Sequence, residues 1–202
     1  MTGASGDGPR EAPHDAARHG AGDRVTRAVR LCVDVGTVRV GLAASDPDGM
    51  LATPVETVAR AAGKPGSGAS DVRRIADEAR ERRADVVYVG LPRHLSGAEG
   101  SSAGLARAYA VALAHAVGPV QVRLVDERMS TVTAHHALQA SGRSGRRQRQ
   151  VVDQAAAVVI LQHALDTERA TGRRPGERVE VDPVRSSPAR GGVAGDGTTN
   201  VE

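Results

Sequence analysis

The sequence predicts a single α/β domain whose mixed five-stranded sheet is flanked by helices, and two observations predict it. Three alternating apolar segments separated by short turns come first, which is typical of an antiparallel meander. Short apolar strands then alternate with amphipathic helices, which is typical of parallel strands joined by helical crossovers. We expect this domain at residues 28–167. Residues 1–27 and 168–202 are expected to be disordered tails, because both are rich in Gly, Pro, Arg and small polar residues.

The first two predicted strands alternate about a tight turn at Gly36-Thr37. Their apolar face comprises Val29, Leu31, Val33, Val35, Val38, Val40, Leu42 and Ala44. Arg30, Cys32 and Asp34 point to the other face of the first strand, because successive strand residues point to opposite sides. A carboxylate in an otherwise apolar strand is costly to bury without a partner. Asp34 is therefore the first candidate functional residue.

A third strand from Met50 to Ala59 follows the strong turn signal Asp46-Pro-Asp-Gly49. Pro54 lies inside this strand and cannot donate a hydrogen bond to a neighbouring strand. Its presence predicts either an edge position or a bulge. The short links between the three strands complete the predicted meander.

The remainder of the folded region supplies the crossovers. The predicted helices cover residues 71–83 (with Ser70 as the cap), 105–117, 130–141 and 151–167, and the predicted strands cover residues 86–89 and 120–127. Gly118-Pro119 ends the second helix. The resulting order, β-β-β-α-β-α-β-α-α, resembles that of the RNase H-like superfamily.

Composition limits how the chain can recognise a ligand. Aromatic residues make up 1% of the chain, with no Trp or Phe, which argues against recognition of bases by aromatic stacking. Lys and Arg number 27 against 24 Asp and Glu. Lys64 is the only lysine, and the fork of Arg suits phosphate. A genome of high GC content would explain the Arg bias equally well, so the location of the Arg residues matters more than their number.

The chain is expected to be a cytoplasmic protein without a membrane segment. No apolar run of about 18 residues occurs, and the first residues show no hydrophobic leader segment. Cys32 is the only cysteine, which excludes an internal disulfide bond and argues against a zinc site built from Cys and His.

Two further acidic positions stand at the ends of predicted elements. Asp126 and Glu127 close the last strand, and adjacent strand residues point to opposite faces, so only one of them can join a cluster with Asp34. The alternation breaks at the strand end and does not settle which one. Asp153 opens the final helix, where the helix dipole favours an acid without any further function. On the residues alone, both questions stay open.

A cluster of three carboxylates would suit metal-dependent hydrolysis of a phosphodiester. The attacking water and the leaving oxygen lie in line at phosphorus, and two Mg²⁺ (or Mn²⁺) ions about 3.5–4 Å apart stabilise both oxygens. Mg²⁺ prefers hard oxygen ligands, so no His, Ser or Cys nucleophile is needed. In the predicted sheet the first and last strands lie close together with the final helix over one face, which would let the acids converge.

Several segments occur together in a specific order and spacing. They are Leu31-Cys-Val-Asp-Val-Gly-Thr-Val-Arg-Val-Gly-Leu-Ala43 with Ser45-Asp-Pro47, Leu51-Ala-Thr-Pro-Val-Glu-Thr57, Val89-Gly-Leu-Pro92 with Ser96-Gly97, Val125-Asp-Glu-Arg-Met-Ser-Thr131, and Val152-Asp-Gln-Ala-Ala156. Over about residues 29–167 they resemble the YqgF/RuvX family of pre-16S rRNA nucleases, also described as Holliday-junction-resolvase-like proteins. The resemblance implies an RNase H-like fold, maturation of the 16S rRNA precursor in ribosome biogenesis, and catalytic, metal-binding carboxylates at Asp34, Glu127 and Asp153.

An Arg-rich segment immediately precedes the last of these acids. Arg143, Arg146, Arg147 and Arg149 could hold substrate phosphates in register without reading bases. The alternative is an ordinary solvated loop, and proximity to the predicted site favours the binding role. The expected partners are structured RNA, such as precursor rRNA, or branched DNA.

Three other functions compete with rRNA processing. The same acids would serve a resolvase that cuts four-way DNA junctions, normally as a symmetric dimer, so the chain is expected to be a monomer or a homodimer. A non-catalytic nucleic-acid-binding or transcription factor would need the Arg-rich segment but not all three acids. A nucleotide-binding fold of the sugar-kinase and actin kind would need a second phosphate loop, and Gly195-Asp-Gly-Thr-Thr199 has no preceding strand.

Overall fold

The computed structural model describes residues 24–94, 96, 98–126 and 146–181, and for residues 146–153 it describes only the backbone. The elements are β1 (Val29–Val35), β2 (Arg39–Ser45), β3 (Ala52–Ala59), α1 (Ser70–Glu81), β4 (Ala84–Leu91), α2 (Ser101–Val117), β5 (Gln121–Asp126), α3 (Arg146–Thr171) and β6 (Glu177–Arg178). The helix predicted at residues 130–141 lies outside the described residues. Among the described helices, none has the length and apolar character needed to cross a membrane.

The strands form one mixed sheet in the order β3-β2-β1-β4-β5-β6. β2 pairs antiparallel with both β1 and β3, whereas β4 pairs parallel with both β1 and β5. The predicted α/β class and RNase H-like architecture are therefore confirmed. The sheet has six strands rather than the predicted five, because β6 pairs antiparallel with β5 at Arg123 and Leu124.

Each face of the sheet packs against a different set of helices. Leu31 and Val33 of β1 belong to the apolar cluster shared with α1 and α2, whereas Cys32 belongs to the cluster shared with α3. All three side chains are fully buried. The contribution of α3 is a stripe of buried residues at helical spacing, namely Ala156, Ala157, Ile160, Leu161, Ala164 and Leu165. The predicted alternation of the first strand is confirmed.

Pro54 produces the irregularity that its position predicts. β3 is the outer strand of the sheet. Its register with β2 shifts between Leu42, which pairs with Glu56, and Ala43, which pairs with Pro54. Proline has no N–H group for the ladder, and an extra residue on the strand absorbs the mismatch. Both the edge position and the irregular register are confirmed.

Regular structure continues beyond residue 167, where the sequence predicts the start of the tail at residues 168–202. α3 extends past this point and β6 follows it. The charged residues that give this segment the composition of a tail are partly buried in ion pairs. Glu168 and Arg174 are 2% and 6% exposed, and they pair with Arg30 and Asp85, respectively. Long-range pairing of this kind has no local sequence signal.

A buried ion pair joins the start of β1 to the end of α3. The Nε of Arg30 donates to Oε2 of Glu168 at 2.9 Å, and both side chains are 2% exposed. The Tyr88 hydroxyl donates to the other carboxylate oxygen of Glu168, and Arg30 also donates to the carbonyl of Thr26 at 2.8 Å. Burial, reinforced by the Glu168 charge, raises the pKa of Tyr88 above its usual range. The hydroxyl therefore remains a donor, and the buried charges are compensated by hydrogen bonds.

We expect Glu168→Ala to lower the free energy of unfolding by about 3–5 kcal/mol, because it leaves Arg30 buried without a counter-charge. Asp166→Ala is the matched control in the same helix. Asp166 pairs with Arg169 at the surface, where such a pair contributes about 0–1 kcal/mol. Urea unfolding followed by circular dichroism measures both changes. Equal losses in the two variants would contradict the stabilising role of the buried pair.

Candidate active site

Asp34 lies near the carboxyl end of β1 in the middle of the sheet and is 8% exposed. Strand alternation places it on the face that α3 covers. The residues beside it on both neighbouring strands are glycines. Gly41 pairs with it on β2, and the parallel register that pairs Val33 with Val89 brings Gly90 beside it on β4. Neither neighbouring strand therefore adds a side chain at the level of this carboxylate.

Gly41 and Gly90 are site residues that the sequence reasoning missed. A glycine inside a strand weakens the strand and often marks the close approach of a ligand or another backbone. Both glycines interrupt strands that are otherwise rich in Val, Leu and Ala, and this was the available signal. Their position on either side of Asp34 depends on the strand register, which the local sequence does not specify.

The last long strand ends at the same edge of the sheet. Asp126 is the final residue of β5. In the register of the sheet, Asp34 lies level with Val125, so Asp126 lies one residue further along. Val125 belongs to the cluster under α3 and Leu124 to the cluster under α1 and α2, so alternation assigns Asp126 to the face opposite Asp34. Glu127 is the next residue along the chain. It lies outside the described residues, and its role remains a prediction.

α3 extends toward this edge with Asp153 in its first half. The helix runs antiparallel to β1, because Glu168 near its end contacts Arg30 near the start of the strand. Position 153 is three residues before Ala156 and four before Ala157, which are both buried against the sheet. This spacing puts the position on the same helical face. The side chain of residue 153 is not among those described, and its part in the cluster remains a prediction.

The Arg-rich segment is described only in part. Arg146, Arg147 and Arg149 lie in the first turns of α3, where only the backbone is described, and Arg143 lies outside the described residues. Their contact with phosphate therefore remains a prediction. Among the side chains that are described, no group of three His, Cys, Asp or Glu could hold a metal ion. Two of the three predicted metal ligands are outside that set, so this finding does not bear on them.

A chain of ion pairs runs from β6 to the end of β5. Arg107 of α2 donates to Glu177 at 2.9 Å and to Glu99 at 2.8 Å. Arg93 donates to Glu99 at 3.0 Å, and its Nη1 lies 3.8 Å from a carboxylate oxygen of Asp126. Hydrogen bonds from Arg107, with the charges of both arginines, lower the pKa of Glu99 to about 2. The side chain of Arg93 is therefore placed directly beside the strand end that precedes the predicted ligand.

A family model and named relatives match this chain over most of its length. A family model described as "RuvX: Holliday junction resolvase" matches residues 28–167. A relative from Rhodococcus opacus (strain B4), named "Putative pre-16S rRNA nuclease", is 52% identical over 123 residues, which is 61% of this chain and 68% of the relative. A relative of the same name from Streptomyces coelicolor (strain A3(2)) is 52% identical over 161 residues, or 79% of this chain and 93% of the relative. The family match includes the positions of all three predicted carboxylates.

Two solved structures of RuvC from Thermus thermophilus are also similar in shape. One is a complex with a Holliday junction substrate and has a TM-score of 0.45. The other has a TM-score of 0.47. Both are 17% identical in sequence and cover 73% of this chain and 99% of RuvC.

We expect the carboxyl group of Glu99 to titrate near pH 2, because Arg107 and Arg93 stabilise its ionised form. The folded-state pKa is lowered, so the stabilisation is present above the unfolded value of about 4.3 and is lost as the pH falls toward 2. Arg107→Ala should move the midpoint toward the unfolded value, and Arg73→Ala, which removes an exposed arginine from α1, should not. NMR titration of the Glu99 side-chain carboxyl measures this midpoint. A midpoint near 4.3 in the unaltered protein would contradict the ion-pair chain.

Proposed function

This chain belongs to the RuvX family, and we propose that it is a nuclease that hydrolyses phosphodiester bonds in structured nucleic acid. Its proposed substrate is the 16S rRNA precursor, processed at the 5′ end during ribosome biogenesis, in keeping with the names of its relatives. The observation that carries the proposal is the buried carboxylate of Asp34, which is flanked by glycines and lies near the carboxyl edge of the sheet.

We assign the catalytic and metal-binding roles to Asp34, Glu127 and Asp153. Three features of the described residues support this assignment. Asp34 lies on the face that α3 covers, and Glu127 directly follows a strand that ends at the same edge. Position 153 continues the sheet-facing stripe of α3 toward that edge. Asp126 is the weaker candidate, because alternation directs it to the opposite face.

The proposed donor set fits a hard divalent cation. Carboxylate oxygens are the ligands that Mg²⁺ and Mn²⁺ prefer, and a pair of such ions would supply charge stabilisation for the attacking and leaving oxygens. The chain's own contribution is to hold the acids on rigid elements. β1 is paired on both sides, which limits movement of Asp34. Gly41 and Gly90 add no side chains beside Asp34, so neither neighbouring strand crowds its carboxylate.

The Arg-rich segment is the proposed contact to the substrate backbone. Arg143, Arg146, Arg147 and Arg149 precede Asp153 by four to ten residues, so they would bind phosphates close to the cleaved bond. Contacts of this kind position a nucleic acid without reading its sequence. The proposed substrate is an RNA made in the cytoplasm, and we propose that the protein acts there.

A second candidate function is resolution of Holliday junctions, which the description of the family model favours. The two functions need the same acids and differ in the shape of the substrate that reaches them. Cutting a four-way junction symmetrically would require a homodimer, whereas a monomer suffices to process an RNA end.

We expect Asp34→Asn to slow Mg²⁺- or Mn²⁺-dependent cleavage by about a thousandfold, because metal-ion stabilisation is worth several kcal/mol and about 1.4 kcal/mol is a factor of ten. Asp153→Asn and Glu127→Gln should show similar losses. Asp126→Asn is the matched control, because it removes a charge from the residue next to Glu127 and should cost far less. Single-turnover cleavage of a labelled RNA measures all four variants.

Two outcomes of this experiment would contradict different parts of the proposal. Unchanged cleavage by Asp34→Asn and Asp153→Asn would rule out the mechanism. Equal losses in Asp126→Asn and Glu127→Gln would leave the nuclease function standing but would contradict the choice between these neighbours.

The substrate is tested with one preparation of protein and two labelled substrates. One is an RNA that spans the 5′ end of mature 16S rRNA, and the other is a four-way DNA junction. We expect a higher kcat/KM for the RNA, since this ratio measures discrimination between substrates. Preferred cleavage of the junction would favour the resolvase. Binding of both without cleavage of either, at any divalent cation tested, would indicate a non-catalytic nucleic-acid-binding protein.

A further inference from the structure

A cavity of about 230 Å³ lies directly beyond the carboxyl end of β4, at the start of α2. Its polar lining comes from Arg93, His94, Ser101 and Ser102. Among the described residues no acidic side chain lines it. A guanidinium, an imidazole and two hydroxyl groups around one space can all donate hydrogen bonds, so the cavity suits an anion rich in acceptor oxygens.

Arg93 contributes the only full positive charge among the described residues that line this cavity. Glu99 accepts a hydrogen bond from Nη2 of Arg93 at 3.0 Å, and a carboxylate oxygen of Asp126 lies 3.8 Å from Nη1. Its Nε is buried and makes no hydrogen bond with the described residues. An anion in the cavity would meet the positive charge of the Arg93 guanidinium, while Glu99 and Asp126 keep this group in place.

The first turn of α2 adds a second set of donors. Gly100 occupies the N-cap of this 17-residue helix, and no side chain caps it. The first N–H groups of a helix have no partner within the helix, and they carry the positive end of its dipole. The His94 ring packs closely against Gly100, because a Cβ there would lie 3.0 Å from Nε2. A side chain at this N-cap, which would normally accept from these donors, would therefore have to displace the His94 ring.

We propose that this cavity binds a backbone phosphate of the nucleic-acid substrate, next to the phosphodiester that is cleaved. The inference rests on the proposed nuclease function. The cavity adjoins the proposed site, because Arg93 lies beside Asp126 and Asp126 immediately precedes Glu127. It lies at the start of α2, whereas Asp34 lies on the α3 face. A nucleic-acid strand that crosses this edge of the sheet would contact both the cavity and Asp34. Arg93 would then be a substrate-binding residue.

The proposal predicts a specific change in salt dependence. Fluorescence anisotropy with the labelled RNA in EDTA, at about 50 to 200 mM KCl, measures binding without cleavage. Arg93→Ala should weaken binding about tenfold, as expected for one charge-assisted contact. It should also lower the slope of log affinity against log salt by about 1. Arg107→Ala is the matched control, because it removes a charge from the same ion-pair chain but not from the cavity lining.

A second variant separates binding from folding. Ser102→Glu places a carboxylate in the cavity and also in the first turn of α2, where the helix dipole favours an acid. It should therefore weaken RNA binding while the melting temperature stays the same or rises. Val111→Glu adds the same charge to an exposed position of the same helix, away from the cavity, and should leave RNA affinity close to that of the unaltered protein.

The outcomes distinguish this inference from the proposed function. Normal RNA affinity and salt slope in both Arg93→Ala and Ser102→Glu, with cleavage intact in the unaltered protein, would overturn the phosphate site alone. Absence of cleavage by the unaltered protein, with reduced binding in both variants, would support the phosphate site and reject the nuclease. If inorganic phosphate raises the melting temperature through Arg93 while RNA affinity does not depend on Arg93, the cavity holds a free ion and the proposal is wrong.

Discussion

The ion pair between Arg30 and Glu168 is the interaction on which the placement of α3 depends. The stripe by which this helix packs on the sheet includes Ala156, Ala157 and Ala164, and such small side chains oppose sliding along the helix axis only weakly. A buried polar contact has a narrow range of acceptable geometry, since both charges must stay hydrogen-bonded. It can therefore set the axial position of the whole helix. The acid at position 153 lies about 22 Å from Glu168 along the axis, so its position along the sheet follows from this contact.

Those parts of the fold that depend on local side-chain pattern could be predicted from the sequence. Val and Leu at alternate positions of β1 and β2 specify which face is buried, and Pro54 specifies an edge. Ser70 is a residue type typical of a helix cap, but it is the first residue of α1, and Ala69 occupies the cap. A larger error arose where a distant partner decides the outcome. The end of α3 and β6 have the composition of a tail, yet Arg30 and other remote residues satisfy their charges.

The residues of the candidate site also divide into those that the local sequence indicates and those that only three-dimensional contacts reveal. Asp34 stands out in the sequence because a charge inside an apolar strand requires an explanation. Gly41 and Gly90 are visible only as glycines that interrupt apolar strands, and their importance arises only when the register brings them beside that carboxylate. Arg93 is one arginine among many in the sequence. Its distinction is an ion pair with Glu99 and a buried nitrogen that has no hydrogen-bond partner among the described residues, and neither can be recognised without three-dimensional contacts.

The irregular edge of the sheet has a consequence for how the molecule behaves in concentrated solution. β3 spans eight residues on an outer position, and a regular strand of that length would offer a row of free backbone groups as a template for another molecule's strand. The shifted register beside Pro54 bends the strand away from a flat ladder. The same proline that disturbs pairing inside the sheet thus protects the protein against edge-to-edge aggregation.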